Sequence, residues 1–181
     1  GNAPPNFDIP DLLVVQNGHR GSLSADWAPA HPELIFEVEN GAVFTIDSGF
    51  TASLPGGIRN DGTINVASSG SLVQTANEDR NEGSGIYNIT RNTGIIADHT
   101  RFQYWSSPVD TATMEWVFSG ANQGDFYYYD PKVSWQAASS MTPGQGYITT
   151  PTINLTNSSE NRTFSGRANN ADISYSVSAD S

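Results

Sequence analysis

The stretch from Leu34 to Gln74, LIFEVENGAVFTIDSGFTASLPGGIRNDGTINVASSGSLVQ, decides the fold class. It divides into six short runs: Leu34 to Val38, Ala42 to Ile46, Phe50 to Leu54, Gly57 to Arg59, Thr63 to Ala67 and Ser71 to Gln74. Between them stand Asn40-Gly41, Ser48-Gly49, Pro55-Gly56, Asp61-Gly62 and Ser69-Gly70. Glycine supplies the positive φ of tight turns, and Asn or Asp before it bonds the local backbone. Inside the runs Phe44 and Ile46 alternate with Val43 and Thr45, and Ile64 and Val66 with Thr63 and Asn65. A period of two belongs to a strand, so each run turns one apolar row inward. Strands of about five residues at about eight-residue steps suit two architectures, a meander of hairpins or the parallel coils of a β-solenoid. The evenness of the turns favours the solenoid.

Working outward, residues 1–33 read as an N-terminal extension and capping segment, with Gly1 to Pro10 tail-like. Asn77 to Gly85, NEDRNEGSG, is a polar loop without a large apolar residue and marks the boundary after the repeat segment, which spans 34–76. Beyond it the chain changes character. The aromatics gather there: Tyr104-Trp105, Trp116, Phe118, Phe126 to Tyr129, Trp135 and Tyr147. Expected strands are Ile86 to Arg91, Phe102 to Trp105, Met114 to Phe118, Phe126 to Tyr129, Gly146 to Thr149, Arg162 to Ser165 and Ile173 to Val177. Short strands with long turns fit a β-sandwich-like module over 77–181. The chain is therefore read as all-β, a short solenoid-like segment followed by an aromatic-rich sandwich-like module. Scarce helix formers, with two Met and Lys132 as the lone lysine, agree with that.

Charge and composition exclude several partners. With 19 Asp plus Glu against 8 Lys plus Arg, the net charge of −11 repels nucleic acid and anionic membrane. No run of eighteen apolar residues exists to insert into a bilayer. Cysteine is absent, which removes disulfides, thiolate metal sites and Cys nucleophiles. A signal peptide, if the gene encodes one, is expected to be already removed.

The candidate chemistry is sparse. His19, His31 and His99 are scattered, with no ligand-type spacing between them. Glu37 and Glu39, two apart on an expected strand, share a face at about 7 Å, a spacing that glycoside hydrolysis uses but that a solvated face also gives. Glu115 stands alone. Calcium is the metal whose ligands the chain offers, and Glu78, Asp79 and Glu82, with Asn77 and Asn81, crowd one loop as its candidate site. A loop kept soluble by charge explains the same residues. Tyr127, Tyr129, Asp130 and Trp135 are the candidate glycan platform, because sugar rings stack on aromatic faces while Asp bonds hydroxyls. Strand alternation sends Tyr128 opposite to Tyr127 and Tyr129, so at least one side of this run serves as core.

Several motifs taken in order carry a resemblance: Gly70 to Gln74, Asn88 to Arg91, Tyr104 to Val109, Phe126 to Asp130, Trp135, Met141 to Ile148 and Phe164 to Gly166. From Val38 to Tyr175 the chain resembles a β-rich module of large secreted and surface proteins of Bacteroidetes-type bacteria, commonly placed ahead of a type IX secretion sorting domain. It departs from that module at Gln145, where a Lys is common, and at Asn169-Asn170-Ala171, where Asn-Asn-Gly is expected. The resemblance implies a secreted or cell-surface location, neighbouring domains in a longer chain and no catalytic residues. The expected function is a non-catalytic structural or adhesive module. Its rival is a carbohydrate-binding module attached to a polysaccharide-degrading enzyme. The aromatic cluster is read first as core and second as a glycan platform, so a glycan or surface polysaccharide is the candidate ligand of the rival reading.

Overall fold

Each of the six alternating runs holds a strand in the computed structural model, which describes residues 12–76, 78–170 and 172–174. The first unit of the chain ends at Ile86 and the second begins at Tyr87. In the first lie β1 Leu12–Val15, β2 Arg20–Leu23, β3 Ile35–Val38, β4 Val43–Ile46, β5 Thr51–Leu54, β6 Ile58–Asn60, β7 Thr63–Val66 and β8 Ser71–Gln74. A meander would pair each strand antiparallel with the next. Instead the ladders are parallel and skip along the chain: β1 with β3 and β3 with β6, β2 with β4 and β4 with β7, and β5 with β8. Ile35 lies beside Leu12, Ile58 beside Phe36 and Thr63 beside Val43, offsets of 23, 22 and 20 residues. This is a solenoid of about three coils. Its first coil starts at Leu12, inside the stretch read as extension and capping; the runs LLVV and RGSL lack the apolar–polar alternation that reveals the later strands.

Alternation fills the coil interior as the sequence implies. Phe36, Val38, Phe44, Ile46, Leu54, Ile58, Ile64 and Val66 are buried, each such burial stabilising by about 1.5–3 kcal/mol. In-register stacking sets Phe44 over Ile64 and Ile46 over Val66. Phe36 meets Trp27 and Phe44 edge-on, at 5.6 and 4.7 Å between ring centroids. Two turn glycines show two different requirements. Gly41 has φ +78°, which an L side chain rarely adopts. Gly62 is needed for space, since a Cβ there would lie 2.5 Å from the carbonyl oxygens of both Glu39 and Ala42 on the coil beneath. Beside it the buried Asn60 accepts from Gly62 N at 3.1 Å and donates to the Ile86 carbonyl at 3.3 Å, tying the third coil to the segment that ends the unit.

The second unit is antiparallel. Its strands are β9 Ile86–Asn92, which starts at the boundary, β10 Ile96–Asp98, β11 Gln103–Trp105, β12 Tyr127–Asp130, β13 Ser134–Ala137, β14 Tyr147–Thr149, β15 Thr156–Ser158 and β16 Asn161–Gly166. The order β11-β14-β12-β13 makes a four-stranded sheet, and β9 pairs with β16. Between them sits an aromatic core. Trp105 on β11 meets Phe118 at 5.3 Å and Phe164 of β16 at 6.0 Å, and Phe118 meets Phe164 at 6.2 Å. Two antiparallel layers closed over rings match the sandwich-like expectation.

One expected strand is corrected. Met114 to Phe118 holds a single helical turn, α1 Met114–Val117, capped by Thr113, whose Oγ1 accepts from Trp116 N at 3.4 Å. In sequence the large apolar residues Met114, Trp116 and Phe118 alternate as in a strand, but Met114, Val117 and Phe118 are the buried ones while Trp116 faces out, a spacing of three and four that is helical. Ile173 and Ser174 are not in a strand, and Tyr175 to Val177 fall outside the described residues, as do Asn77 and both chain ends. Among the described residues no helix is long and apolar enough to cross a membrane.

Candidate functional site

The outer face of the four-stranded sheet carries the features from which a binding site can be built. Register fixes which side chains share it. Tyr104 lies opposite Ile148, Ile148 opposite Tyr127, and Tyr129 opposite Trp135. Alternation then places Tyr104, Tyr127, Ile148, Tyr129 and Trp135 on one face, with Trp105, Tyr128 and Tyr147 on the other. The inner set packs: Trp105 enters the core described above, and Tyr128 meets the buried Tyr147 edge-on at 6.5 Å. In the outer set Ile148 is buried and Tyr127 half-buried, while three rings are open to solvent. Tyr104 is 81% exposed, Tyr129 55% and Trp135 45%.

These three rings wall a cleft of about 230 Å³ floored by Gln145 to Ile148. Tyr129 and Trp135 stand at 5.3 Å and 70°, so they form a corner in which one ring is set against the edge of the other. Gln145 is oriented from below. Thr142 N donates to the Tyr147 hydroxyl at 2.7 Å, and that hydroxyl donates to Gln145 Oε1 at 3.0 Å. The bond to its oxygen leaves the amide NH₂ of Gln145 as the polar group this residue offers the cleft.

A second cleft, of about 470 Å³, also belongs to the second unit; Phe102, Asn122, Asp125, Thr150 and His99 are in its lining. Phe102 stands just before β11, two residues ahead of Tyr104, and its ring meets Tyr127 edge-on at 6.3 Å. Tyr127 is held by its hydroxyl, which donates to the Gly124 carbonyl at 2.5 Å. Asp125 Oδ2 accepts from the Thr150 hydroxyl at 2.9 Å and Asn122 Oδ1 from Gly124 N at 3.3 Å. Thr100, in the wall, donates to Asp98 through both hydroxyl and N–H. Those two bonds, helped by the Arg101 guanidinium at 3.6 Å and against a smaller opposing effect of desolvation, hold the Asp98 carboxyl below the usual carboxylate range.

Of the residues proposed from sequence as a glycan platform, Tyr129 and Trp135 come together in the first cleft, and Tyr127 is in neither lining but packs against Phe102 of the second. Asp130 goes elsewhere. Alternation turns it away from Tyr129, and its Oδ1 accepts from Lys132 N at 2.8 Å in the β12–β13 turn. Tyr104 and Phe102 were not singled out as site residues. The signal for Tyr104 is its neighbour, because two adjacent aromatics on a strand cannot both face the core.

The proposed calcium ligands are not brought together. Glu78 pairs with Arg80 at 3.8 Å, Asp79 Oδ1 accepts from Asn81 N at 3.1 Å, and Glu82 pairs with Arg59 at 3.3 Å. Among the described residues no three His, Asp or Glu side chains are grouped so as to hold a metal ion. Glu37 and Glu39 also diverge in role. Glu37 pairs with Arg59 at 3.5 Å, and Glu39 Oε2 accepts from Asn17 N at 2.8 Å across the first coil.

A family described as a domain of unknown function, DUF8693, matches residues 20–181. The chain belongs to that family. The match starts within the first coil and runs through both units. No curated protein and no solved structure matches the chain.

Proposed function

We propose that this chain is a non-catalytic adhesive module of a secreted or cell-surface protein, and that it holds glycan on the outer face of its aromatic sheet. The observation that carries the reading is the exposure of Tyr104, Tyr129 and Trp135 around one cleft with the oriented Gln145 amide in its floor. Large rings left in water on three strands forgo the burial that the same rings obtain in the core, and contiguous apolar surface on a soluble unit marks a contact site. The C–H faces of a sugar ring cover aromatic planes, and its hydroxyls answer amide and carboxyl groups. The lining of the two clefts holds one carboxyl, Asp125, where glycoside hydrolysis uses two. The likeness to surface modules ahead of type IX sorting domains supports a place outside the cell.

A structural spacer is the second reading, supported by the parallel coils of the first unit, which form a stackable shape. Retention on immobilised neutral plant and marine polysaccharides separates the two. The adhesive reading expects retention that Trp135→Ala weakens by about tenfold or more, the loss of one buried aromatic contact. A folded wild-type chain that passes through the whole panel leaves only the spacer.

A further inference from the structure

We infer that the ligand of this face is an extended, uncharged glycan chain of about four sugar rings, which crosses the sheet diagonally and engages both clefts at once. The inference rests on the glycan reading above and names the substrate class for the same face. Its basis is the alignment of the rings. Trp135 and Tyr129 form one row across the strands, Tyr104 and Tyr127 the next, and Phe102 stands two residues ahead of Tyr104, just before β11. From Trp135 to Phe102 the path crosses three strand spacings and about four residues of strand, which is about 20 Å, or four rings at about 5 Å each. The Phe102 ring of the second cleft meets Tyr127 at 6.3 Å, and Tyr127 shares its sheet face with Tyr104 of the first. A monosaccharide fills only one of them.

The polar groups along this path suit hydroxyls. Gln145 in the first cleft and Asn122 in the second have their carbonyl oxygens already bonded, which leaves amide donors; Asp125 has one oxygen bonded to Thr150, which leaves an acceptor. A sugar hydroxyl both donates and accepts, so it answers such a mixed set. A uronate or sulfate finds Asp125 on the path, no Lys or Arg in either lining and a chain of net charge −11.

Calorimetric titration of the whole chain with neutral β-1,4-linked gluco-, xylo- and manno-oligosaccharides of two to six units tests this. Affinity should rise at least about tenfold from two to four units and then level off. Phe102→Ala, and separately Ile153→Ser in the second cleft, should abolish the advantage of the tetramer over the dimer, whereas Trp135→Ala weakens both. A dimer that binds as tightly as the tetramer, or a tetramer indifferent to both second-cleft variants, overturns the extended-chain inference while one-cleft glycan binding stands. A polyuronate that outcompetes the neutral chains overturns it as well. Absence of binding to every oligosaccharide and to the immobilised polysaccharides overturns the glycan reading itself.

Discussion

Tyr129 and Trp135 are direct cross-strand partners in the β12–β13 hairpin, with ring centroids 5.3 Å apart and planes at 70°. An edge-to-face pair at such a position couples the two strands as well as shaping the cleft. Replacing either ring by Ala removes the same contact, so the two losses overlap. In chemical denaturation the double variant should therefore lose less than the sum of the single variants, by about 0.5–1.5 kcal/mol. Strict additivity would show that the two rings are independent in the unliganded chain.

Gly62 tests the stacking of the coils. A methyl group at this position meets two backbone oxygens at 2.5 Å, and backbone cannot rotate away as a side chain would. Gly62→Ala should cost about 1–3 kcal/mol or more, whereas Gly146→Ala, with open space around its Cβ, should cost far less. Thermal melts of the two variants check this. Equal melting temperatures would mean that the third coil is free to shift on the second.

Calcium provides a third expectation. Glu78 and Glu82 already lie against the Arg80 and Arg59 guanidinium groups, so a divalent ion would have to displace both cations before finding oxygen ligands. Melting curves in millimolar calcium and in chelator should superimpose. A rise in melting temperature that saturates with calcium would require a site other than this loop, or a rearrangement of it.

The solenoid was legible in the sequence because its register repeats the same local rule at every turn: Phe44, Ile46, Ile64 and Val66 alternate with polar residues and stack on one another. Its first coil was not, because Leu12 to Val15 is uniformly apolar and Arg20 to Leu23 nearly polar, and neither shows a period. What the sequence could not supply for the candidate site was the strand order. Tyr104 and Trp135 are 31 residues apart in the chain and share a cleft only because β14 and β12 lie between their strands. The acidic loop misled for the complementary reason. Proximity in sequence suggested shared ligands, while local partners take Glu78 and Asp79, and Arg59, 23 residues away, takes Glu82.

Glu160 and Arg162 carry the expected response to acid. Arg162 is 4% exposed, and its guanidinium donates to Glu160 Oε1 and to the carbonyls of Val117 and Ser119 and lies 5.5 Å from the centre of the Phe118 ring. Burial is the largest single influence on Glu160 and pushes its carboxyl upward. The Thr152 hydroxyl at 2.5 Å, the Thr152 N–H at 3.1 Å and Arg162 together outweigh it, so the folded-state value lies below the ordinary one. A carboxyl whose pKa is lowered by folding adds stability that is complete above its unfolded value of about 4.3 and is lost as pH falls through the folded value. Denaturant midpoints of the wild type should therefore fall below about pH 4.5 more steeply than those of Glu160→Gln, whose curve lacks this contribution. Arg162→Met should lose about 3–5 kcal/mol at neutral pH, since it strands the half-buried carboxylate, and it should recover part of that loss in acid, where Glu160 is protonated. An Arg162→Met variant whose deficit grows on acidification would mean that Glu160 is stabilised without its cation.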